Sequence, residues 1–421
     1  MDKPHDTLRM QSKYARPERT YAQSAFNGYW WEDPTRLLLF FILPLYVLLS
    51  IQLLGKPKAI EHVYYTNFYA FAGGLFLVIV MVVSSLGRSP TPVVEPVPIE
   101  IEVRALDFVF VLALLGYLVM MSQVLMHPAM ILSFFSGNTS VYDLVDMKGR
   151  IAGLSTLTQA AVAYVPLYFY VFRERQSGFN RYKLYMIVLG LLTLLRSFVF
   201  AERLAVIEMA LTTVLMYLRV RGGLRRSKII ALGPFAAIGP MFGFFIINEY
   251  HRSWASYYIN IYDNLFDFAL ERISLYYSTA LNNGAGIVSV LGWGSGHPMY
   301  TFNWLIRFPV IGEFIAPLLD SSADFDSFLN NYADPEFNNP SGIFVHFYEW
   351  GWFALFIAVI IGWVFNRSYA GWRSGSGFWY CAHAALYVCL LEILRVPLLF
   401  TSRPLVPIVV LLIVFRFMKK R

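Results

Sequence analysis

VYYTNFYAFAGGLFLVIVMVVSSL, residues 63–86, runs for twenty-four residues without a charged side chain. At about 1.5 Å per residue, a helix of that length crosses a hydrocarbon core about 30 Å thick. Lipid offers no water to a backbone N–H or C=O, so a spanning segment must satisfy its own polar groups, which a helix does. Nine further stretches read the same way, at 37–54, 105–126, 154–172, 182–198, 203–220, 229–247, 341–365, 378–395 and 398–417. The expectation is an all-α integral membrane protein of about ten transmembrane helices. Composition agrees, since 57% of the 421 residues are hydrophobic and only 14% charged, with a mean hydropathy of +0.53. A soluble domain carries about 25% charged residues. The short alternating segments of an outer-membrane barrel are missing.

Lys and Arg orient the spans, because cytoplasmic loops hold an excess of them. Lys3, Arg9, Lys13, Arg16, Arg19 and Arg36 precede the first span. Arg173, Arg175, Arg181 and Lys183 follow the fourth, and Arg219, Arg221, Arg225, Arg226 and Lys228 the sixth. Lys419, Lys420 and Arg421 end the chain. With ten spans all of these share one side, which places both termini in the cytoplasm. The net charge of +7 is then explained without nucleic acid. The polar, basic start has no apolar core and does not read as a cleavable signal peptide. Cys381 and Cys389 share one apolar run and read as inert buried thiols. Asn138-Thr-Ser would be a glycosylation acceptor only in a eukaryotic secretory context.

This gives a basic cytoplasmic tail over 1–36, seven spans over 37–247, a cap over 248–340, and three spans over 341–421. A connection as long as 248–340 is usually functional or disordered. Its many aromatics, among them Trp254, Tyr257, Tyr258, Tyr262, Tyr276, Tyr277, Trp293, Tyr300 and Trp304, argue for a folded cap; they could stack on sugar rings, or serve as interfacial belt or core. SYYINIYDNLFDFALERISLYYSTAL is amphipathic and could lie along the interface as a helix.

The positive-inside rule leaves the other side poor in charge, yet Arg196, Arg203, Arg252, Arg272, Arg307, Arg395 and Arg403 fall there. Arg196 and Arg203 bracket the short turn RSFVFAER, and Arg395 and Arg403 bracket RVPLLFTSR. A guanidinium stays charged when partly desolvated and donates two parallel hydrogen bonds, so two such turns would cradle a lipid pyrophosphate. Alternatively each arginine snorkels or pairs with a neighbour, as Glu392 could pair with Arg395. Glu202 and the intramembrane Glu208 form a second group. His346 and Glu349 are three apart, on one helix face, where either could serve as a general base or simply bond the other. His297 sits in GWGSGHP, whose glycines suit an anion nest or a plain turn. Asp324-Phe-Asp326 imitates a metal-binding pair of soluble nucleotide-sugar glycosyltransferases, but the βαβ domain such a site needs is missing, and no metal or cofactor is expected.

Three stretches resemble the Wzy-type polymerases of bacterial O-antigen and exopolysaccharide repeat units, in the wider group that includes the O-antigen ligases. They are LLRSFVFAERLAVIEMA, then ERISLYYSTALNNGAG followed by LGWGSGHP, and NNPSGIFVHFYEWGWFALFIAVIIGWVFN, with Glu349 where an Asp is often found. The likeness covers about residues 180–370. It implies a GT-C-like membrane glycosyltransferase of the bacterial inner membrane. Such an enzyme moves a growing glycan from undecaprenyl pyrophosphate to the hydroxyl of another lipid-linked repeat at the periplasmic face, and a chain-length regulator is a common partner. By that resemblance Arg196, Arg203, Arg272, Arg395 and Arg403 hold phosphate, and Glu349 or His346 is the base. Tyr276, Asn282, Asn283, His297 and Tyr348 would contact sugar or phosphate. The alternatives are a ligase that delivers the glycan elsewhere, and a transporter of lipid-linked oligosaccharide, for which GPFAAIGPMFG is a broken-helix candidate.

Overall fold

The computed structural model describes residues 28–87, 99–127, 129–130, 133, 151, 153–173, 180–200, 202–220, 227–254, 258–319, 322–333 and 335–420. Most of the basic tail, Asn138, Arg175, Arg221, Arg225, Arg226 and Tyr257 lie outside the described residues, as does the side chain of Arg252. The described chain is helical, with a single isolated bridge between Ile101 and Lys419.

Its longer helices are α1 (Pro34–Leu54), α2 (Asn67–Ser85) and α3 (Arg104–Met126), α4 (Ala160–Val171), α5 (Arg181–Val199) and α6 (Arg203–Val220). There follow α7 (Pro234–Glu249), α8 (Leu265–Leu291), α9 (Ser322–Tyr332), α10 (Phe344–Ser374), α11 (Gly377–Leu391) and α12 (Ser402–Phe417). A helix therefore lies in each of the ten apolar intervals. Five of them, α1, α2, α3, α5 and α10, are long and apolar enough to cross a membrane. The others are shorter or more charged; α4, with Pro166 inside it, has 12 residues.

Local chemistry sets the helix ends. Asp33 caps α1 by accepting from the Thr35 amide at 2.9 Å, with Pro34 in the first turn, where its missing N–H costs nothing. Asn180 and Asn264 cap α5 and α8 in the same way. Gly375, left-handed at φ 71°, ends α10 and turns the chain into α11. The break before α7 falls at Gly233-Pro234, where Trp30 and Trp31 donate their indole N–H groups to the Ala231 and Ile230 carbonyls. The proline-bearing GPFAAIGPMFG segment continues as helix beyond that break.

Large apolar side chains point outward along the candidate spans, with Phe40, Leu48 and Ile51 on α1, Phe71 on α2, Leu115 and Leu118 on α3, and Phe356 and Trp363 on α10 all exposed. An apolar outer face of this extent suits lipid rather than water. Together with the five apolar helices it makes this a helical membrane protein.

α8 covers most of the amphipathic stretch and runs past its end. Its first half is amphipathic, with Phe266 and Leu270 exposed, but Ser278–Val288 is buried all round. Small residues allow this. A Cβ on Gly284 would lie 2.7 Å from the Cβ atoms of Phe344 and Ser341, so α8 packs directly on the start of α10. Asn282 fastens the other side, accepting from the Tyr64 amide at 2.8 Å and donating to the His62 carbonyl at 2.7 Å. The second half of α8 is thus part of the core.

Candidate functional site

The two arginine-bracketed turns meet. Arg196, in the last turn of α5, bonds Glu202 through Nε at 2.8 Å and through Nη2, and donates to the Thr158 hydroxyl at 2.9 Å. Arg403, in the first turn of α12, reaches across to Glu202 at 3.0 Å and to Glu208 of α6 at 3.1 Å. Glu202 therefore bridges two arginines from opposite turns. In the second turn, Arg395 Nε lies 2.5 Å from Glu392.

A second chain of charges runs beside the first. Arg203, opening α6, lies 2.7 Å from Glu249 at the end of α7. Glu249 also receives Ser253 Oγ at 2.8 Å and faces Arg272 Nε at 3.2 Å. Arg272 continues to Glu336 at 2.6 Å, and Glu336 accepts from the Tyr258 hydroxyl at 2.7 Å. Burial and that bond to the Glu336 carboxylate push the Tyr258 hydroxyl up to about 12. The ring of Tyr276 joins the two chains: the Arg203 guanidinium sits 5.5 Å from its centroid and that of Arg395 sits 4.8 Å away.

Between the turns lies a cavity of about 740 Å³. Leu204 and Ile207 of α6 and Met241, Phe244 and Phe245 of α7 give it an apolar wall. Its charged lining is Arg203, Arg307, Arg395, Arg403, Glu202 and Glu392, with Tyr276, Tyr277, Tyr300, Asn303 and Asn339 nearby. α7 packs chiefly on α8, and it meets α6 through Arg203, which lies 2.7 Å from Glu249, with the cavity between their apolar faces. A space with one apolar wall and a rim of paired guanidinium groups fits an amphiphile bearing an anionic head.

The expected site residues divide accordingly. Arg203, Arg395, Arg403 and Tyr276 line the cavity. Arg196 and Arg272 are buried behind it, where they hold Glu202, Glu249 and Glu336 in place. Asn282 and Asn283 are structural ties, Asn283 donating to the Phe337 carbonyl at 2.6 Å. Tyr348 is buried and His297 exposed, and neither lines this cavity.

Glu349 and His346 also lie outside the cavity lining. The Glu349 carboxylate accepts from the amides of Tyr300 and Thr301, the latter at 3.1 Å, and from the Thr301 hydroxyl at 2.5 Å. Trp350 donates to the same hydroxyl at 2.9 Å. His346 stacks on Phe76, with Nδ1 3.3 Å from Thr301 Oγ1. These residues secure the turn at 300–301 to the start of α10. The mutual approach of His346 and Glu349 expected from their spacing is present at 3.8 Å.

Glu249, Glu336 and Arg307 carry more of the arrangement than the sequence suggested. Glu249 had a signal in an acidic residue closing an apolar run, whereas nothing in the spacing tied Glu336 to Arg272, sixty-four positions earlier. Asp324 and Asp326 are exposed, and among the described residues no cluster of His, Cys, Asp or Glu could hold a metal ion. Comparison with family models, with curated proteins and with solved structures finds no match for this chain.

Proposed function

We propose that this protein is a glycosyltransferase of the bacterial inner membrane that polymerises undecaprenyl-pyrophosphate-linked repeat units into O-antigen or exopolysaccharide. In this reading it has a GT-C-like arrangement of ten spans, both termini are cytoplasmic, and the cavity opens at the periplasmic face. The growing glycan leaves its pyrophosphate carrier and joins the hydroxyl of a second lipid-linked repeat. The observation that carries the proposal is the amphiphilic cavity, whose apolar α6–α7 wall suits a prenyl chain and whose guanidinium rim suits pyrophosphate. Arg203, Arg307, Arg395 and Arg403 stabilise the charge that develops on the leaving pyrophosphate. Arg196 and Arg272 act through the carboxylates they hold. No nucleotide sugar enters, because the donor arrives already activated.

The test is deletion of the gene in its host, complemented with wild type or with Arg203→Ala, reading glycan length on a gel. Arg203→Ala leaves Glu249 paired with Arg272, so the variant is expected to insert normally while losing at least tenfold of its long-chain product. Single repeats on the carrier at the outer face support polymerisation. Full-length chains that fail to leave the carrier point to a ligase, and repeats held at the cytoplasmic face point to a transporter; either result rejects the proposal.

A further inference from the structure

Five carboxylates pair with the arginine chains and a sixth, Glu349, lies apart from them, and their commitments differ. Glu202 is held by Arg196 and Arg403. Glu208 is buried against Arg403. Glu249 lies between Arg203, Arg272 and Ser253. Glu336 lies between Arg272 and Tyr258. Glu349 is filled by the 300–301 turn. Glu392 is different. Its Oε2 accepts from Arg395 Nε, while its Oε1 has no hydrogen-bond partner among the described residues. Its side chain is only 7% exposed, yet it lines the cavity beside Tyr277. Arg395 is arranged in the same way: its guanidinium lies over the Tyr276 ring and its Nε is committed to Glu392, while neither Nη has a hydrogen-bond partner among the described residues.

We propose that Glu392 is the general base that deprotonates the acceptor sugar hydroxyl, and that its pairing with Arg395 couples this proton transfer to departure of the pyrophosphate. The inference rests on the glycosyl-transfer reading given above. The acceptor O–H gives its proton to Glu392 Oε1 while its oxygen forms the new bond to the donor's anomeric carbon. The bond from that carbon to the phosphate oxygen breaks, and its electron pair leaves with undecaprenyl pyrophosphate. Before the step, the Arg395 charge is offset by Glu392. Once Glu392 is protonated, that offset is gone, and the free Nη groups of Arg395 present an uncompensated charge as the leaving group becomes more anionic. Glu202 and Glu249 could not act this way, since each is fixed by two guanidinium groups.

The test uses full-length protein in nanodiscs and, as substrate, the lipid extract of the deletion host, with undecaprenyl pyrophosphate as a separate binding probe. Glu392→Gln is expected to slow chain extension by roughly 10²–10⁴-fold, the range of a general base, while binding undecaprenyl pyrophosphate within about threefold of wild type. In Glu392→Ala, added formate should restore part of the lost rate, which a purely structural role would not allow. Glu392→Asp keeps the charge beside Arg395 but withdraws the oxygen by one methylene; at least about tenfold loss is expected, and it covers the case in which the other variants do not fold. If Glu392→Gln or Glu392→Asp extends chains at near the wild-type rate, Glu392 is not the base. If Glu392→Gln loses the probe in proportion to its rate, Glu392 only positions Arg395, and the proposal is overturned. If wild type itself extends nothing from the extract, the glycosyl-transfer reading fails, and the base assignment fails with it.

Discussion

Replacing Glu349 with alanine separates two roles for the same residue. In the structure its carboxylate is the acceptor for the Tyr300 and Thr301 amides and for the Thr301 hydroxyl, all buried. Removing it strands two buried backbone donors, at about 1.5 kcal/mol each within the usual range for an unsatisfied buried group. The Thr301 hydroxyl can still turn elsewhere and adds nothing to this cost. The expected cost is about 3 kcal/mol, felt where the turn meets α10 rather than over the whole fold. At about 1.4 kcal/mol per tenfold, the amides of residues 300 and 301 should exchange with deuterium roughly 150-fold faster in Glu349→Ala. Amides in the middle of α10 and α2 should keep their wild-type rates. The measurement is native-state hydrogen exchange in detergent or nanodiscs, resolved by peptide. If exchange at 300–301 stays within about threefold of wild type while glycan extension is abolished, the structural account is refuted, and Glu349 acts on the substrate.

Two further perturbations test the packing and the electrostatics around the cavity. A Cβ at Gly342 would lie 2.4 Å from the Ile393 carbonyl oxygen and 2.5 Å from that of Val396, so Gly342→Ala must push the turn bearing Glu392 and Arg395 away from α10. A loss of about 1–3 kcal/mol is expected, read as a lower unfolding temperature by fluorescence in detergent; an unchanged transition would contradict the close approach. Tyr258 titrates higher in the folded protein than in the unfolded chain, because burial and the Glu336 carboxylate both disfavour its anion. The stabilisation from its neutral hydroxyl is therefore complete below about pH 10 and lost as pH rises through about 12. The tyrosinate absorbance difference between wild type and Tyr258→Phe should place that step near the upper value, and a midpoint at 10 would contradict the Glu336 contact.

What the sequence discloses depends on whether a feature is local. Residues 63–86 announce a helix because absence of charge over that length is visible in the string itself, and α2 occupies 67–85 of it. The bracketing of RSFVFAER and RVPLLFTSR by arginines is equally local, and so is the spacing of His346 from Glu349. Which groups those side chains meet is not local. Arg403 is 195 positions from Glu208, and Glu349 is 49 from the Tyr300 amide that fills it, so neither partner could be read from spacing. Counting external arginines alone gives a strongly positive site waiting for phosphate. The folded chain instead supplies carboxylates, Glu202 just before α6, Glu208 on α6, Glu249 on α7, Glu336 and Glu392, and these offset Arg196, Arg203, Arg272, Arg395 and Arg403. That balance explains how so many arginines are held at low exposure, since a buried guanidinium is tolerated when it is paired. It also changes what an anionic ligand must do. A pyrophosphate in this cavity, as the proposed function requires, would not find a row of free cations. Under the proposed function it would meet guanidinium groups already shared with carboxylates, and would bind where hydrogen-bond donors remain uncommitted, at the Arg395 Nη groups and at the exposed Arg307.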